Sequence, residues 1–442
     1  MVEANLRLEA MLARVGVSRA GLARQVNLRG AHLHLCYDHA SVTRWIRDHA
    51  IPRDPVPEMI CQIFEDRLGV GVSLSDIGMI RGETTERRPS LTATVDQAAA
   101  LWHGDARGRS PRTLVSAAAQ IFDWEHPPEE EHVGRCGERR VDPADIAMLR
   151  HARAHFQEMY RRVGGIPVRS RIARMLTERA APLLRGSYDN DLGRRLYRAV
   201  GGLAALAGVC AYDANQQPLA QRHLLLALRM AKACGDRQFG AYVVALLANQ
   251  ALYLDERRLV VQYTEAALRS GGPDLSPALV TDLRALAGKA YARMGDDRAC
   301  HRHLRASEII ASNIAHHQRQ EEVSYVQPGL IETQFAEAFR RLGDLNAARA
   351  YAEESVRTAG LTHVRGQVHR NAGLALILTA GGELDRGVHV AEEMLDLANG
   401  IESGRIHDRV AHVTRVLRPH AAEPTVAAFL ERADVYLDLK EV

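Results

Sequence analysis

AGKAYARMGDDRACHRHLRAS, residues Ala287 to Ser307, reads as two helices joined by a turn. Gly288 offers a small surface on the first helix, Gly295-Asp296 interrupts it, and Cys300 brings a second small surface back on the other side. Glycine just past a helical run is the usual stop signal, because it alone enters the left-handed conformation without steric cost. RRLGDLNAARAYAEES, Arg340 to Ser355, has the same form. Working outward, the alignment of small residue, turn and second small residue gives five units. They are Gly208 with Asn215 and Ala220, Ala248 with Asp255, Gly288 with Gly295 and Cys300, Ala336 with Gly343 and Ala348, and Ala375 with Gly382 and Gly387. Successive first positions lie 40, 40, 48 and 39 residues apart. Such a unit cannot bury its apolar face alone, so neighbouring units must stack.

The rest of the chain agrees with an all-α fold. From Pro143 onward the apolar residues recur with a helical period, and no alternating Val/Ile/Thr-rich run bounded by turns requires a strand. Asp145 to Val163 and Val168 to Leu184, separated by Gly164-Gly165-Ile166-Pro167, make one more pair before the first repeat. Thr425 to Leu439, with Phe429, Leu430, Ala433, Tyr436 and Leu437 at helical spacing, closes the other end. Three regions follow: residues 1–80, a connector over 81–143, and the array over 144–442. The connector holds a turn-rich stretch at Arg81 to Ser90, a helical stretch at Leu91 to Trp124, and a proline-, glycine- and charge-rich loop at His126 to Pro143 that is expected to be mobile.

The helix pairs resemble tetratricopeptide repeats, whose turns also take Gly-Asp or Gly-Glu, as at Gly295-Asp296, Gly343-Asp344 and Gly382-Glu383. The period here exceeds the usual length of about 34 residues. An insertion, NIAHHQRQEEVSYVQP, also follows the third unit. The resemblance implies a right-handed superhelix of antiparallel pairs with the first helix of each pair on the concave face. That face would carry Tyr212, Tyr242, Asn249, Asp282, Lys289, Arg293, Glu337, Arg340 and His369. An amide such as Asn249 suits a peptide backbone, and Lys289 or Arg293 suits a carboxylate, so a peptide effector is expected, with a small molecule between helices as the competing ligand.

At the N-terminal end, SRAGLARQV (Ser18 to Val26) and HASVTRWIR (His39 to Arg47) have the pattern of a helix-turn-helix. Ser18 is a helix cap and Ala23 is the small residue needed where two helices cross. Val42, Trp45 and Ile46 form a buried stripe on the second helix, which leaves His39, Ala40, Thr43 and Arg44 outward, the arrangement of a helix that enters the major groove. The turn is about nine residues longer than a tight motif. Glu58 to Leu68 and Ser75 to Ile80 are expected as supporting helices of a five-helix domain. Charge agrees: residues 1–53 hold eight Arg against four acids, and 54–86 hold two Arg against seven, within a chain of net charge +3.

LARQVN, YDHASVTRWIR, IPRDPVPEMI, RLG and VSLSDIGM resemble the N-terminal domain of actinomycete transcriptional regulators, in which an Xre-type, lambda-repressor-like helix-turn-helix precedes a tetratricopeptide domain. The likeness continues through Tyr160 to Gly186 and Leu206 to Asp236. It implies a homodimeric regulator that binds a double-stranded DNA operator under the control of the repeat domain. Carried onto this chain, it implies His39, Ala40 and Arg44 as base-facing, and Ser41 and Arg47 as phosphate contacts. Arg24, Arg29 and Arg53 would add backbone contacts. The competing reading is a tetratricopeptide scaffold or adaptor without sequence-specific DNA binding.

Composition bounds the alternatives. The chain has 442 residues, 46% hydrophobic, 25% charged and 5% aromatic, which is the profile of a globular protein. The longest stretch free of both charge and strong polarity, Ala199 to Tyr212, is too short to cross a bilayer, and Glu3, Arg7 and Glu9 occupy the place of a signal peptide's apolar start. A cytoplasmic location with no membrane partner is expected. The six cysteines form no C-x-x-C pair and read as small buried hydrophobes in a reducing compartment. His151 with His155, His301 with His303, and His316-His317 lack H-E-x-x-H or cysteine partners, so no metal is expected. No phosphate-cradling loop or nucleophile elbow occurs, and neither a cofactor nor an enzymatic activity is expected.

Overall fold

The computed structural model describes residues 5–33, 35–53, 55–68, 71–74, 76–79, 90–126, 132–272, 275–312, 329–360 and 363–438. These residues are all-α and divide into two compact units, Met1–Ser90 and Leu91–Val442.

The first unit holds α1 (Leu6–Val15), α2 (Arg19–Arg29), α3 (His39–Arg47) and α4 (Val56–Leu68). Three of them start on a side chain that takes an otherwise free backbone N–H: Asn5 accepts from Leu8, Ser18 from Gly21, and Asp38 from Ser41. Leu8 and Leu12, Leu22, Ala23 and Val26, Val42, Trp45 and Ile46, and Ile60, Ile63 and Phe64 then meet in one core. The long turn is pinned. Asn27 binds both the amide of Tyr37 (2.8 Å) and its carbonyl (2.7 Å), and the Tyr37 ring meets Trp45 edge-on at 5.0 Å. A Cβ on Gly30 would lie 2.2 Å from a methyl of Leu35, so a larger residue there would require the Leu35 side chain to shift.

The expected helix at Ser75 to Ile80 does not form among the described residues. Asp76, Ile77 and Gly78 make a turn instead, with Gly78 at φ 63° and its carbonyl accepting from Asn5 at 3.2 Å. Ile77 and Met79 are still buried. A run this short gains too few helical hydrogen bonds to offset nucleation, and the Asn5 contact satisfies its backbone another way.

The second unit opens with α5 (Leu91–Ala106), α6 (Ala118–Glu125), α7 (Pro143–Val163), α8 (Ile166–Met175) and α9 (Ala181–Leu184). Between α8 and α9 a π turn spans Leu176–Ala180. Pro182 explains it, because proline has no N–H for the regular ladder and forces the preceding turn to widen. Helix pairs follow: α10 (Asn190–Asp213) with α11 (Gln217–Cys234), α12 (Arg237–Tyr253) with α13 (Arg257–Gly271), and α14 (Pro277–Met294) with α15 (Asp297–Ala311). Then come α16 (Leu330–Leu342) with α17 (Leu345–Arg357), α18 (Val364–Ala380) with α19 (Leu384–Ala398), and finally α20 (Gly404–Leu417) with α21 (Pro424–Asp438). The insertion at 313–328 lies outside the described residues.

The turn position of all five repeats is left-handed: Asn215 (φ 59°), Asp255 (61°), Gly295 (76°), Gly343 (84°) and Gly382 (81°). The small residues mark close crossings. A Cβ on Gly208 would lie 2.8 Å from Leu224 and 3.2 Å from the Ala220 carbonyl, and one on Gly288 would lie 2.6 Å from Leu304.

The connector is a correction. From Leu91 on it belongs to the second unit: Val95, Trp102, Ile121, Trp124, Val133 and Val141 are buried in the same core as the first repeats. Asp105 and His223, both fully buried, meet at 2.9 Å and tie α5 to α11. The segment before Pro143, expected to be a mobile loop, is bridged and packed against the second unit over its described part. Arg135 pairs with Tyr188 and Arg140 with Ser187 as isolated β-bridges, with Val133 and Val141 buried beside them. Those valines outweigh the flanking prolines and charges; 127–131 lie outside the described residues.

The last helices return to the first. Asp213, at the end of α10 and fully buried, accepts from the Gly165 amide (2.7 Å), Arg365 (2.7 Å) and Ser403 (2.8 Å). The Glu402 amide donates to Val163 at 2.9 Å. A Cβ on Gly164, at φ 89°, would lie 2.4 Å from the Glu402 carbonyl, which makes glycine necessary there. Cys61, Cys210 and Cys300 are buried as expected, Cys234 is half-buried, but Cys36 and Cys136 are exposed. No helix among the described residues is long and apolar enough to cross a membrane.

Candidate functional site

Two surfaces gather the residues singled out by sequence. In the first unit, Asp38 and Ser41 form a capping box that fixes the start of α3. Val42, Trp45 and Ile46 bury one side of α3 in the core. His39, Ala40, Arg44 and Arg47 are exposed and Thr43 is half-exposed, so positions i, i+1, i+4, i+5 and i+8 share one free face. The Arg44 side chain makes no hydrogen bond or ion pair among the described residues. Among the described residues the Arg47 side chain reaches only the neighbouring Asp48, at 3.5 Å.

Ser41 is the exception. It is 6% exposed and its hydroxyl donates to Asp38 at 2.7 Å, so it orders the helix from inside rather than lying on the free face. Thr43 also turns inward in part, donating to the His39 carbonyl at 2.8 Å and accepting from Arg19 at 3.4 Å. Arg24 and Arg53 are exposed, but Arg29 is bound to Asp66.

In the second unit a cavity of about 410 Å³ opens among α10, α12, α14, α16, α17, α18 and α20. Seven of the nine residues expected on the concave face line it: Tyr212, Asn249, Lys289, Arg293, Glu337, Arg340 and His369. Tyr242 and Asp282 do not. Each sits seven residues before a lining residue, on the same helical stripe but two turns nearer the start of its helix, and both are packed in the interior. The face was legible, its depth was not.

Sequence reasoning missed Tyr253, Arg341, Arg370 and the contribution of α20: Arg405, Asp408, Arg409 and His412. Those four recur at i, i+3, i+4 and i+7, a polar stripe that marks one helix face. α20 lies outside the five aligned units, which is why its stripe was not considered.

The lining holds Lys289, Arg293, Arg340, Arg341, Arg370, Arg405 and Arg409 against Glu337 and Asp408. Both carboxylates are occupied. Glu337 binds Lys289 at 2.7 Å and Arg293 at 2.5 Å. Asp408 accepts from Tyr253 at 2.6 Å and Asn215 at 2.8 Å. Burial pushes the Glu337 carboxyl up, but Lys289 and Arg293 more than reverse this and hold it well below the usual carboxylate range. Arg405 stacks on Tyr212 (4.3 Å) and Tyr253 (4.2 Å), and burial together with Arg409 pushes its pKa down to about 10. Burial first, and then nearby arginines, also push His369 and His412 below the ordinary imidazole value. Both rings are therefore neutral at pH 7.

Among the described residues no group of three or more His, Cys, Asp or Glu is placed to hold a metal ion. In comparison with known families, the SP15 N-terminal domain matches residues 8–80, a span that lies within the first compact unit. No curated protein matches the chain.

Proposed function

We propose that this chain is a DNA-binding transcriptional regulator in which α3 reads the operator and the second unit senses an effector. The observation that carries the reading is the free face of α3: a capped, core-anchored helix presents an Arg44 guanidinium that has no hydrogen-bond or ion-pair partner among the described residues, beside His39, Ala40 and Arg47. An unpaired guanidinium on such a face suits bidentate pairing with guanine, worth on the order of 1–3 kcal/mol of base discrimination. Arg47, farther along the helix, suits a phosphate. A homodimer would bring two such helices about 34–36 Å apart to reach successive major grooves. The effector belongs in the cavity, where residues from seven helices converge. Nothing in this reading calls for an enzymatic step or a cofactor, and the protein is expected to act in the cytoplasm.

Gel shifts with DNA from upstream of its own gene, at two salt concentrations, test it. A discrete retained band is expected. Arg44→Ala should relax base preference at one position of each half-site, and Arg47→Ala should weaken binding uniformly and flatten the salt dependence by about one. The scaffold reading draws on Leu28, 79% exposed on α2, and Leu33, 40% exposed in the turn, both suited to a protein partner. Only salt-sensitive smearing, indifferent to Arg44→Ala, would favour that scaffold instead.

A further inference from the structure

We propose that the cavity of the second unit is a binding site for a small organic polyanion, a phosphorylated or polycarboxylic metabolite, gripped by Arg340, Arg405 and Arg409. The inference deepens the effector reading above and rests on it for its regulatory meaning, not for the binding itself.

Charge is the first argument. The cations of the lining outnumber its carboxylates, and Glu337 and Asp408 are already bound within the protein. The guanidiniums of Arg340, Arg405 and Arg409, all half-buried residues, make no hydrogen bond or ion pair among the described residues. Clustering guanidiniums away from bulk water costs free energy that an arriving anion offsets. Burial accordingly lowers the pKa of Arg340 and Arg405, the sign of cations short of counter-charge.

Shape is the second. A volume of about 410 Å³ falls within the range of roughly 300–1,000 Å³ typical of small-molecule sites. The guanidinium fork matches carboxylate and phosphate oxygens alike. His369 and His412, neutral there, can each donate one hydrogen bond to the same oxygens. Arg405 is held in place by its two tyrosines, so less side-chain entropy is lost when it binds.

Isothermal titration of the full chain at constant ionic strength tests the proposal, with pyrophosphate and citrate as probes and glycerol as the uncharged control. One saturable site per chain is expected for at least one of the anions and none for glycerol. Arg340→Ala and Arg409→Ala should each weaken it tenfold or more, whereas Arg150→Ala, an exposed site on α7, should not. Arg409→Lys keeps the charge and should weaken binding less than Arg409→Ala, which separates lost recognition from lost folding. Preference for pyrophosphate marks a phosphorylated ligand, and preference for citrate a polycarboxylate. If neither anion binds saturably, or if both bind Arg340→Ala and Arg409→Ala as tightly as the parent chain, the assignment is overturned. Parallel gel shifts keep the two proposals apart. Anion binding that leaves DNA retention unchanged removes the effector role and keeps the site; an anion-blind chain that still retains DNA does the reverse.

Discussion

His303 is 9% exposed on α15, its ring 5.2 Å from that of Tyr291. Burial, aided by Arg284 and Arg302, pushes its pKa from the ordinary 6.5 down to about 4, and burial does the same to His363, aided by Arg365. A base depressed in this way binds fewer protons folded than unfolded between those two values. Stability therefore falls as pH drops from 6.5 toward about 4. Glu337 adds a separate loss at lower pH: its depressed carboxyl stabilises the fold above the carboxylate range and ceases to do so as pH falls through it. Urea midpoints should thus be lower at pH 5.0 than at pH 7.5. His303→Phe, which preserves the ring contact, should flatten that difference; an unchanged slope would remove His303 from the account. No local motif announces this residue, because its behaviour comes from what packs around it.

At the scale of elements, the repeat pairs were readable because two local requirements coincide in each: a small residue at the crossing and a left-handed residue at the turn. Gly343 separates the two requirements. It sits at φ 84°, and an added Cβ would meet nothing within 4 Å. Gly343→Ala should then cost about 1–2 kcal/mol from backbone conformation alone, with Gly295→Ala alike and Gly343→Asn cheaper. Thermal unfolding of the three variants measures it; no loss in Gly343→Ala would mean that the turn relaxes freely. Helix α3 was readable for a similar reason, since its cap, buried stripe and free face all lie within ten residues. The turn at Asp76 to Gly78 was not, because the Asn5 side chain that replaces a helical hydrogen bond there lies some seventy residues away in sequence. The polar stripe of α20 carries a strong periodicity, but only its place in the same cavity lining as Arg340 gives that stripe a meaning.

At the scale of the second unit, the return of the last helices to the first is the least legible feature. It joins Gly165, Asp213, Arg365 and Ser403, which no periodicity connects. One buried carboxylate carries the junction, so Asp213→Ala leaves Arg365 buried without its counter-charge. Breaking such a pair from one side costs about 3–5 kcal/mol. Calorimetry of the full chain should register that loss, and Arg365→Ala combined with Asp213→Ala should recover part of it; a near-neutral Asp213→Ala would mean that the packed helices close the array unaided.

The exposure of Cys36 and Cys136 has a practical consequence. Burial raises the pKa of the other four thiols, to about 12 for Cys61 and about 11 for Cys234 and Cys300, and well above its ordinary value for Cys210, which keeps their thiolate fraction small. Cys36 leads into α3 in one unit, and Cys136 follows Arg135, which pairs with Tyr188, in the other. A maleimide dye pair should attach at these two native positions without any engineered cysteine. Energy transfer between the dyes would then read, in one fluorescence trace, whether an anion entering the arginine cavity is felt where the operator is read.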